Sequence, residues 1–264
     1  MAQRSIGNLS ILITGGGSGI GAGTAKWFAA RGARVTISGR RAAKVHSVAA
    51  EIGERCRAVV GDVTSSADRT AMIDAAVEFG DGLDVLVNNA ANMYPGPITE
   101  VEEQPLLELF HSNVVAPMML TREATPHLES RRGAVIFIGS VHAAVAYPGA
   151  SPYAATKGAL QTLTRVVAAE LGPLGIRVNC VVPGAVFTEM SQRAGLLDDA
   201  AAYQRLQRMA ADHVLGRIGE PEEIAEAIAY LVTAEWTTGS VLAVDGGLAL
   251  GTRTAALSSP DSDV

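Results

Sequence analysis

The chain has few cysteines, few aromatic residues and no apolar run long enough to cross a membrane. Of its 264 residues, 2 are cysteine and 5% are aromatic. Cys56 and Cys180 form neither a CxxC pair nor a disulfide-rich pattern, so we expect a reducing, cytoplasmic setting. The most apolar stretch, residues 134–147, is interrupted by a glycine, a serine and a histidine. It is shorter than the roughly 20 residues of a spanning helix, and we therefore expect no membrane segment.

Basic surface and metal-binding motifs are also scarce. The formal net charge is −6 and the Lys and Arg residues are scattered, so the chain lacks the basic footprint typical of nucleic-acid-binding proteins. The five histidines form no HExxH or other metal-ligand spacing. The first ten residues hold one basic residue and no long apolar run, so we expect no secretory signal. These absences predict a protein without a nucleic-acid partner, a membrane anchor or a metal.

The sequence does contain a regular alternation of short apolar runs and longer segments with helical spacing. This alternation predicts one α/β domain over residues 1–250, in which a doubly wound, seven-stranded parallel sheet carries helices on both faces. The predicted strands are residues 9–14, 33–38, 57–60, 85–88, 134–138, 177–182 and 241–244. The predicted helices include residues 19–31, 65–79, 105–128, 152–171 and 222–232. A polar, Ala-rich insertion at about 186–217 is predicted to cover a site, and residues 251–264 are expected to form a flexible tail.

A glycine-rich loop follows the first strand and opens the first helix. It reads Thr14-Gly-Gly-Gly-Ser-Gly-Ile-Gly21. Glycines in this position allow a tight turn and let a diphosphate approach the backbone N–H groups at a helix N-terminus. On the loop alone, a flexible turn that merely requires glycine remains an alternative.

The end of the second predicted strand bears on the choice of nucleotide. An acid at this position would bind the adenosine ribose hydroxyls of NAD, but the sequence reads Ile37-Ser-Gly-Arg-Arg41 and has no carboxylate there. An arginine fork suits a phosphate group, so Arg40, with help from Arg41 or Ser38, favours the 2′-phosphate of NADP(H). A solvated arginine pair at the start of a helix is the alternative, and NAD(H) stays possible.

A tyrosine and a lysine lie one helical turn apart, in Tyr153-Ala-Ala-Thr-Lys157, with Ser140 upstream. Residues at i and i+4 share a helix face, so the Lys157 ammonium is expected to lower the pKa of the Tyr153 phenol. A tyrosine with its ordinary pKa of about 10 is a poor acid or base near neutral pH. Together with the glycine loop, this pair predicts nicotinamide-dependent hydride transfer.

These motifs, in this order, resemble a classical short-chain dehydrogenase/reductase over nearly the whole chain, and in particular its 3-oxoacyl-carrier-protein reductase-like members. The matching elements are the loop ending at Gly21, Asp62-Val63, Asn88-Asn-Ala-Ala91, Asn113, Ser140, Tyr153 to Lys157, Pro183-Gly-Ala-Val-Phe-Thr188 and Val244-Asp-Gly-Gly247. The family implies a Rossmann fold and a catalytic tetrad. By resemblance, Tyr153 exchanges the proton, Ser140 binds the reacting oxygen and Lys157 lowers the Tyr153 pKa and holds the nicotinamide ribose. Asn113 would position a water that links Lys157 to solvent.

The resemblance also implies the cofactor contacts. It assigns five loop residues to the diphosphate, two residues to the adenine, one to the adenosine ribose and four to the nicotinamide carboxamide and diphosphate. In that order these are Gly15, Ser18, Gly19, Ile20 and Gly21; Asp62 and Val63; Asn89; and Pro183, Gly184, Val186 and Thr188. One departure is Ala91, where the family usually has glycine.

The substrate side is defined less sharply. The candidates are loop residues near the predicted catalytic strand ends: Met93, Tyr94, His142, Tyr147 and Met190. A loop histidine is also a common surface residue. No GxSxG motif surrounds Ser140, which excludes the nucleophile elbow of serine hydrolases.

The sequence therefore predicts an NADP(H)-dependent oxidoreductase that interconverts a ketone and a secondary alcohol. The alternative is a catalytically silent dinucleotide sensor or scaffold, although such a protein would be expected to lose the tyrosine or the lysine. The substrate is predicted to be a small carbonyl compound or alcohol, and its identity and the reaction direction stay open. The resemblance further implies a homo-oligomer, either a dimer or a tetramer.

Overall fold

The computed structural model describes residues 5–186 and 209–251. Its centre is one sheet of seven parallel strands in the order β3-β2-β1-β4-β5-β6-β7. The strands are β1 (Ser10–Thr14), β2 (Arg34–Gly39), β3 (Cys56–Val60), β4 (Val85–Asn88), β5 (Ala134–Ile138), β6 (Arg177–Pro183) and β7 (Val241–Val244). The doubly wound Rossmann architecture is confirmed, and the strand bounds differ from the predicted ones by no more than one residue.

Helices cover both faces of the sheet. The first face carries α1 (Gly19–Ala29), α2 (Ala42–Ile52) and α7 (Pro221–Thr233), and the second carries α3 (Ser66–Gly80), α5 (Ala116–Arg131) and α6 (Ser151–Leu171). Along β1, the side chains of Ile11 and Ile13 join the core under the first group, while Leu12 joins the core under the second. Since successive residues of a strand point to opposite faces, a continuous apolar run is what a two-sided sheet requires.

The segment predicted as one helix over residues 105–128 differs from the prediction. It consists of α4 (Glu103–Phe110), a π-helical turn (His111–Val115) and α5. A π turn widens the helix by one residue and is frequent at functional sites. The site candidate Asn113 lies within this turn and is buried.

Some predicted features fall outside the part of the chain that the structure describes. Most of the proposed cover at about 186–217 and nearly all of the predicted tail at 251–264 are among them, as are Thr188 and Met190. Residues 209–217 are described. There, the buried ring of His213 accepts a hydrogen bond from the Ala185 N–H at 3.2 Å, next to the end of β6.

Candidate active site

An open cleft lies where the strand order reverses, between β1 and β4. In open α/β sheets, this point beyond the carboxyl ends of the strands is where ligands bind. The cleft has an empty volume of about 1030 Å³, which includes open solvent. Its lining residues are Gly15, Gly17, Ser18, Gly19, Ile20, Gly39, Arg40, Arg41, Lys44, Val45, Gly61, Asp62, Val63, Asn89, Ala90, Ala91, Asn92 and Ser112. The structure thus brings together the residues predicted to bind the diphosphate and the adenosine from four separate loops, with Gly21 directly behind the lining, whereas Pro183, Gly184 and Val186 are not part of this lining.

The glycine loop forms a cradle that side chains would fill. Gly15 and Gly19 have φ angles of +68° and +52°, in the left-handed region that favours glycine. A Cβ at Gly21 would lie 2.5 Å from the side-chain nitrogen of Asn89 and would meet the Gly15 carbonyl oxygen. Asn89 fixes the loop by donating to the Thr14 and Gly15 carbonyl oxygens at 2.8 and 3.2 Å. The helix N-terminus and this cradle fit a diphosphate.

The adenosine end of the cleft is rich in cations. The Arg40 guanidinium donates to the Asn92 side-chain oxygen at 3.0 Å and lies 3.7 Å from an Asp62 carboxylate oxygen. Arg41 donates to the Ser18 hydroxyl at 3.1 Å. Lys44 also lines the cleft and was missed by sequence reasoning. The sequence feature that could have identified Lys44 is its three-residue spacing from Arg41 at the start of α2, because this spacing places both cations on one helix face.

Ser38 does not reach this cluster. It is fully buried, its hydroxyl has no hydrogen-bond partner among the described residues, and it is absent from the cleft lining. The suggested help from Ser38 in binding a phosphate is therefore wrong, because β2 turns this side chain into the protein interior. Asp62 accepts hydrogen bonds from the Thr64 backbone and hydroxyl at 3.0 and 2.9 Å, which holds the loop that also carries Val63.

Ser140, Tyr153 and Lys157 come together at the ends of β5 and α6. All three are buried. The Lys157 ammonium donates to the Ile138 carbonyl oxygen at 2.7 Å and lies 5.5 Å from the centre of the Tyr153 ring. Ser140 follows β5 in extended conformation, near the Tyr153 phenol, whose pKa it lowers. The i and i+4 spacing thus places the phenol and the ammonium on the same buried face.

The expected lowering of the Tyr153 pKa is not found. Burial raises the pKa of Tyr153 to about 12, and Ser140 opposes this shift only in part. Burial also lowers the pKa of Lys157 to about 8. Loss of water disfavours the charged form of each group, and this cost of burial cannot be read from the i and i+4 spacing of the two residues. Near neutral pH the phenol therefore holds its proton, and most of the lysine is charged.

Asn113 connects the catalytic cluster to the cleft. Its side-chain oxygen accepts from the Asn92 N–H at 2.8 Å, and its amide donates to the Asn92 carbonyl oxygen at 2.9 Å and to the Thr156 hydroxyl at 3.2 Å. Thr156 in turn donates to the Tyr153 carbonyl oxygen at 2.8 Å. Together with the Arg40 contact to Asn92, these bonds form a continuous chain from the cation cluster to the helix of Tyr153. Asn92 is thus a further site residue that sequence reasoning missed.

The remaining candidates separate into two groups. Pro183, Gly184 and Val186 lie at the end of β6, where the Gly184 N–H donates to the Val244 carbonyl oxygen at 3.1 Å.

On the substrate side, the ring centre of His142 is 4.5 Å from Tyr147 and 5.4 Å from Tyr153. The Tyr94 hydroxyl instead accepts from the Glu102 N–H at 3.0 Å, and Met93 is half-buried beside it. The structure therefore brings His142 and Tyr147 to the catalytic cluster.

Residues 5–186 and 209–251 contain neither a cluster of metal ligands nor a membrane-spanning helix. Within these ranges, no group of three or more His, Cys, Asp or Glu side chains is placed to hold a metal ion. Within the same ranges, no helix combines the length and the apolar character needed to cross a membrane.

Comparisons with known proteins agree with this architecture. A family model described as enoyl-(acyl carrier protein) reductase matches residues 15–249. L-fucose dehydrogenase of Bos taurus is 35% identical over 255 residues, which cover 95% of this chain and 93% of that protein. Cyclopentanol dehydrogenase of Comamonas sp. is 33% identical over 243 residues, covering 90% and 95% of the two chains.

A solved structure is similar in both sequence and fold. The 3-ketoacyl-(acyl-carrier-protein) reductase of Brucella melitensis, in complex with NADH, superposes with a TM-score of 0.84 at 33% identity, covering 93% of this chain and 100% of that one. The family match, the near full-length relatives and the shared fold agree with one another. The chain therefore belongs to the classical short-chain dehydrogenase/reductase family of oxidoreductases.

Proposed function

We propose that this protein is an NADP(H)-dependent oxidoreductase that interconverts a ketone and a secondary alcohol, with Tyr153 as the proton donor and acceptor. The observation that carries the proposal is the continuous hydrogen-bond chain from Arg40 through Asn92 and Asn113 to Thr156 and the Tyr153 carbonyl. It joins a cleft suited to a nucleotide to the helix α6, which carries the buried phenol and ammonium. A hydride donor held in the cleft would therefore lie near a proton donor.

The residues of the cleft fit a dinucleotide phosphate. The glycine loop and the N-terminus of α1 would hold the diphosphate. Arg40, Arg41 and Lys44 line the end where the 2′-phosphate of NADP would lie, and among the described lining residues Asp62 is the one acid. The Arg40 guanidinium lies 3.7 Å from the Asp62 carboxylate, which is longer than a hydrogen bond. A dianionic phosphate could accept two charge-assisted hydrogen bonds from this guanidinium and would therefore bind it more strongly. When bound, the nicotinamide supplies or accepts the hydride.

The protein residues would manage the proton. In reduction, the protonated Tyr153 phenol donates to the carbonyl oxygen as negative charge develops there. The Ser140 hydroxyl donates to the same oxygen, which is preorganised stabilisation of that charge. The Lys157 ammonium, held by the Ile138 carbonyl at 2.7 Å, stabilises the phenolate that forms. Tyr153, whose pKa burial raises to about 12, holds its proton before the reaction, and the charge of Lys157 would offset the cost of forming a buried phenolate.

The decisive experiment is an assay of the purified protein with NADPH and NADH. The substrates would be cyclopentanone, an acetoacetyl thioester and ketosugars, with cyclopentanol and L-fucose in the oxidative direction. These compounds follow the names of the relatives and the chemistry proposed for the site. Turnover that prefers NADPH over NADH supports the proposal. Nucleotide binding without turnover of any compound in either direction would instead favour a dinucleotide sensor or scaffold.

We also propose that the enzyme is a homo-oligomer. Large apolar side chains are exposed on α4, the π turn, α5 and α6, namely Leu107, Val115, Met118 and Val166. Large apolar side chains exposed on helices that pack next to each other are typical of an interface between copies. Light scattering should give the mass of a dimer or tetramer, and a monomer that persists at all concentrations would refute this.

A further inference from the structure

His142 makes a close side-chain contact with Ser140 that the proposed reaction does not yet use. The His142 Nδ1 atom lies 3.0 Å from the Ser140 Oγ atom. Ser140 is the N-cap of the 3₁₀ turn Val141–Ala143 that follows β5, and His142 lies within this turn. Either the Ser140 hydroxyl donates to Nδ1, or Nδ1–H donates to the Ser140 oxygen, since an imidazole nitrogen donates or accepts according to its tautomer.

The hydrogen-bond capacity of Ser140 makes this choice important. A hydroxyl has one hydrogen to donate and two lone pairs that accept. The Ser140 Oγ already accepts from the His142 backbone N–H at 3.3 Å. If His142 Nδ1 accepts the Ser140 hydrogen, that hydrogen is turned away from a substrate oxygen. If Nδ1 carries a hydrogen and donates it, the second lone pair is filled, and the Ser140 hydrogen is left to face the Tyr153 phenol, whose pKa Ser140 lowers, and the substrate oxygen proposed to bind there.

The imidazole ring is held in place by aromatic neighbours on two elements. The ring of Tyr147 lies at a centroid distance of 4.5 Å and an angle of 33°, and the ring of Tyr153 lies at 5.4 Å and 85°. His142 is half-buried between them. A ring packed in this way loses little further freedom when it donates a hydrogen bond.

We propose that His142 is a positioning residue whose Nδ1–H donates to Ser140 Oγ and so directs the Ser140 hydrogen toward the substrate carbonyl oxygen. The inference rests on the proposed oxidoreductase function, because it assigns Ser140 to that oxygen. No new covalent step is involved. Both the neutral Nδ1–H tautomer and the imidazolium serve this role.

The first test compares two substitutions that differ in hydrogen bonding. His142→Phe keeps a flat ring between the two tyrosines but has no donor. His142→Asn supplies an amide donor at about the position of Nδ1. We expect His142→Phe to lower kcat about tenfold, which is less than the loss of a whole oxyanion donor, with an unchanged Kd for NADPH. His142→Asn should stay within about threefold of the wild type. Equal rates for His142→Phe and wild type would overturn the inference.

A double-mutant cycle tests whether His142 acts through Ser140. In a Ser140→Ala background, His142→Phe should cause no further loss of kcat, because the hydroxyl that it orients is gone. A full tenfold additional loss would mean that His142 acts independently, which contradicts the proposal. His46→Phe, an exposed substitution on α2 outside the cleft, is the matched control and should leave kcat unchanged.

A spectroscopic test does not depend on turnover. In protein labelled with ¹⁵N-histidine, the signals of His142 can be identified among the five histidines by their loss in His142→Phe. We expect Nδ1 to carry a hydrogen, and its shift to move in Ser140→Ala. An unprotonated Nδ1 in the wild type would overturn the inference even if the enzyme is active. Absence of turnover together with a protonated Nδ1 would instead count against the proposed function alone.

Discussion

The site has two ends, the catalytic cluster and the adenosine end of the cleft, and they differ in how deeply their titratable groups are buried. At the catalytic end, Lys157 is 3% exposed and Tyr153 is 6% exposed. At the adenosine end, the side chains of Arg40 and Asp62 are 53% and 36% exposed. Burial decides protonation at the first end, where both pKa values move by desolvation. Exposed charges at the second end can attract a phosphate, but salt screens them.

This contrast indicates how the two ends should respond to change. A substitution of Tyr153 or Ser140 in the buried cluster should alter the rate of the chemical step and leave nucleotide affinity almost unchanged. A substitution in the exposed cluster should alter affinity and the choice between NADPH and NADH. The hydrogen bonds of Asn92 and Asn113 connect the two ends. Substitutions can therefore test whether the catalytic rate and the nucleotide affinity depend on separate residues.

The largest expected effect is that of Tyr153→Phe. Loss of the phenolic proton should lower kcat about a thousandfold, within the range of general acid catalysis. The ring remains, so the Kd for NADPH, measured by fluorescence titration, should change by less than about twofold. A variant that retains a tenth or more of the wild-type kcat would show that Tyr153 is not the proton donor.

The complementary substitution is Arg40→Ala. Loss of a charge-assisted contact to the 2′-phosphate should raise the KM for NADPH by about 10 to 100-fold, with little change in the KM for NADH. The dependence of NADPH binding on salt should weaken as well. Lys26→Ala is the control, because this cation pairs with Glu51 at 2.7 Å, lies in the last turn of α1 and is not part of the cleft lining. An equal rise in the KM values for NADPH and NADH would contradict the assignment of Arg40 to the 2′-phosphate.

A third substitution tests the cradle between the two ends. Gly21→Ala would place a methyl group against Asn89 and the Gly15 carbonyl, so we expect a loss of about 1–3 kcal/mol in the free energy of unfolding and weaker binding of both nucleotides. Gly7→Ala is the matched control, because the nearest atom to its Cβ would be 3.7 Å away. Its stability, measured by urea unfolding, should change by less than about 0.5 kcal/mol. A Gly21→Ala protein as stable as this control would show that the loop has room to relax.

The smallest expected effect concerns the buried ammonium. The pKa of Lys157 is lowered by burial from 10.5 to about 8. Between these values the unfolded chain binds a proton that the folded protein has released, so stability rises with pH. Relative to Lys157→Met, the wild type should therefore gain about 1 kcal/mol between pH 7.5 and 9. A stability difference that is constant or falls over this range would show that Lys157 keeps its ordinary pKa.

The sequence predicted the sheet and the glycine loop well, for physical reasons. Buried parallel strands must be apolar on both faces, as Val85 to Val87 are, and the φ angle of Gly15 has few alternatives to glycine. The π turn around Asn113 and its pairing with Asn92 were missed because they depend on tertiary contacts between distant segments. The direction of the Tyr153 pKa shift was wrong because burial cannot be read from an i and i+4 spacing.

The most direct test of the account uses NADPH carrying deuterium at C4 of the nicotinamide. After the best ketone of the panel has been reduced, the alcohol product is analysed by mass spectrometry. The account predicts one deuterium on the carbinol carbon with the wild type, and a rate of label transfer that falls about a thousandfold in Tyr153→Phe. An alcohol product without deuterium, from NADPH labelled on either face of C4, would contradict direct hydride transfer and with it the central claim.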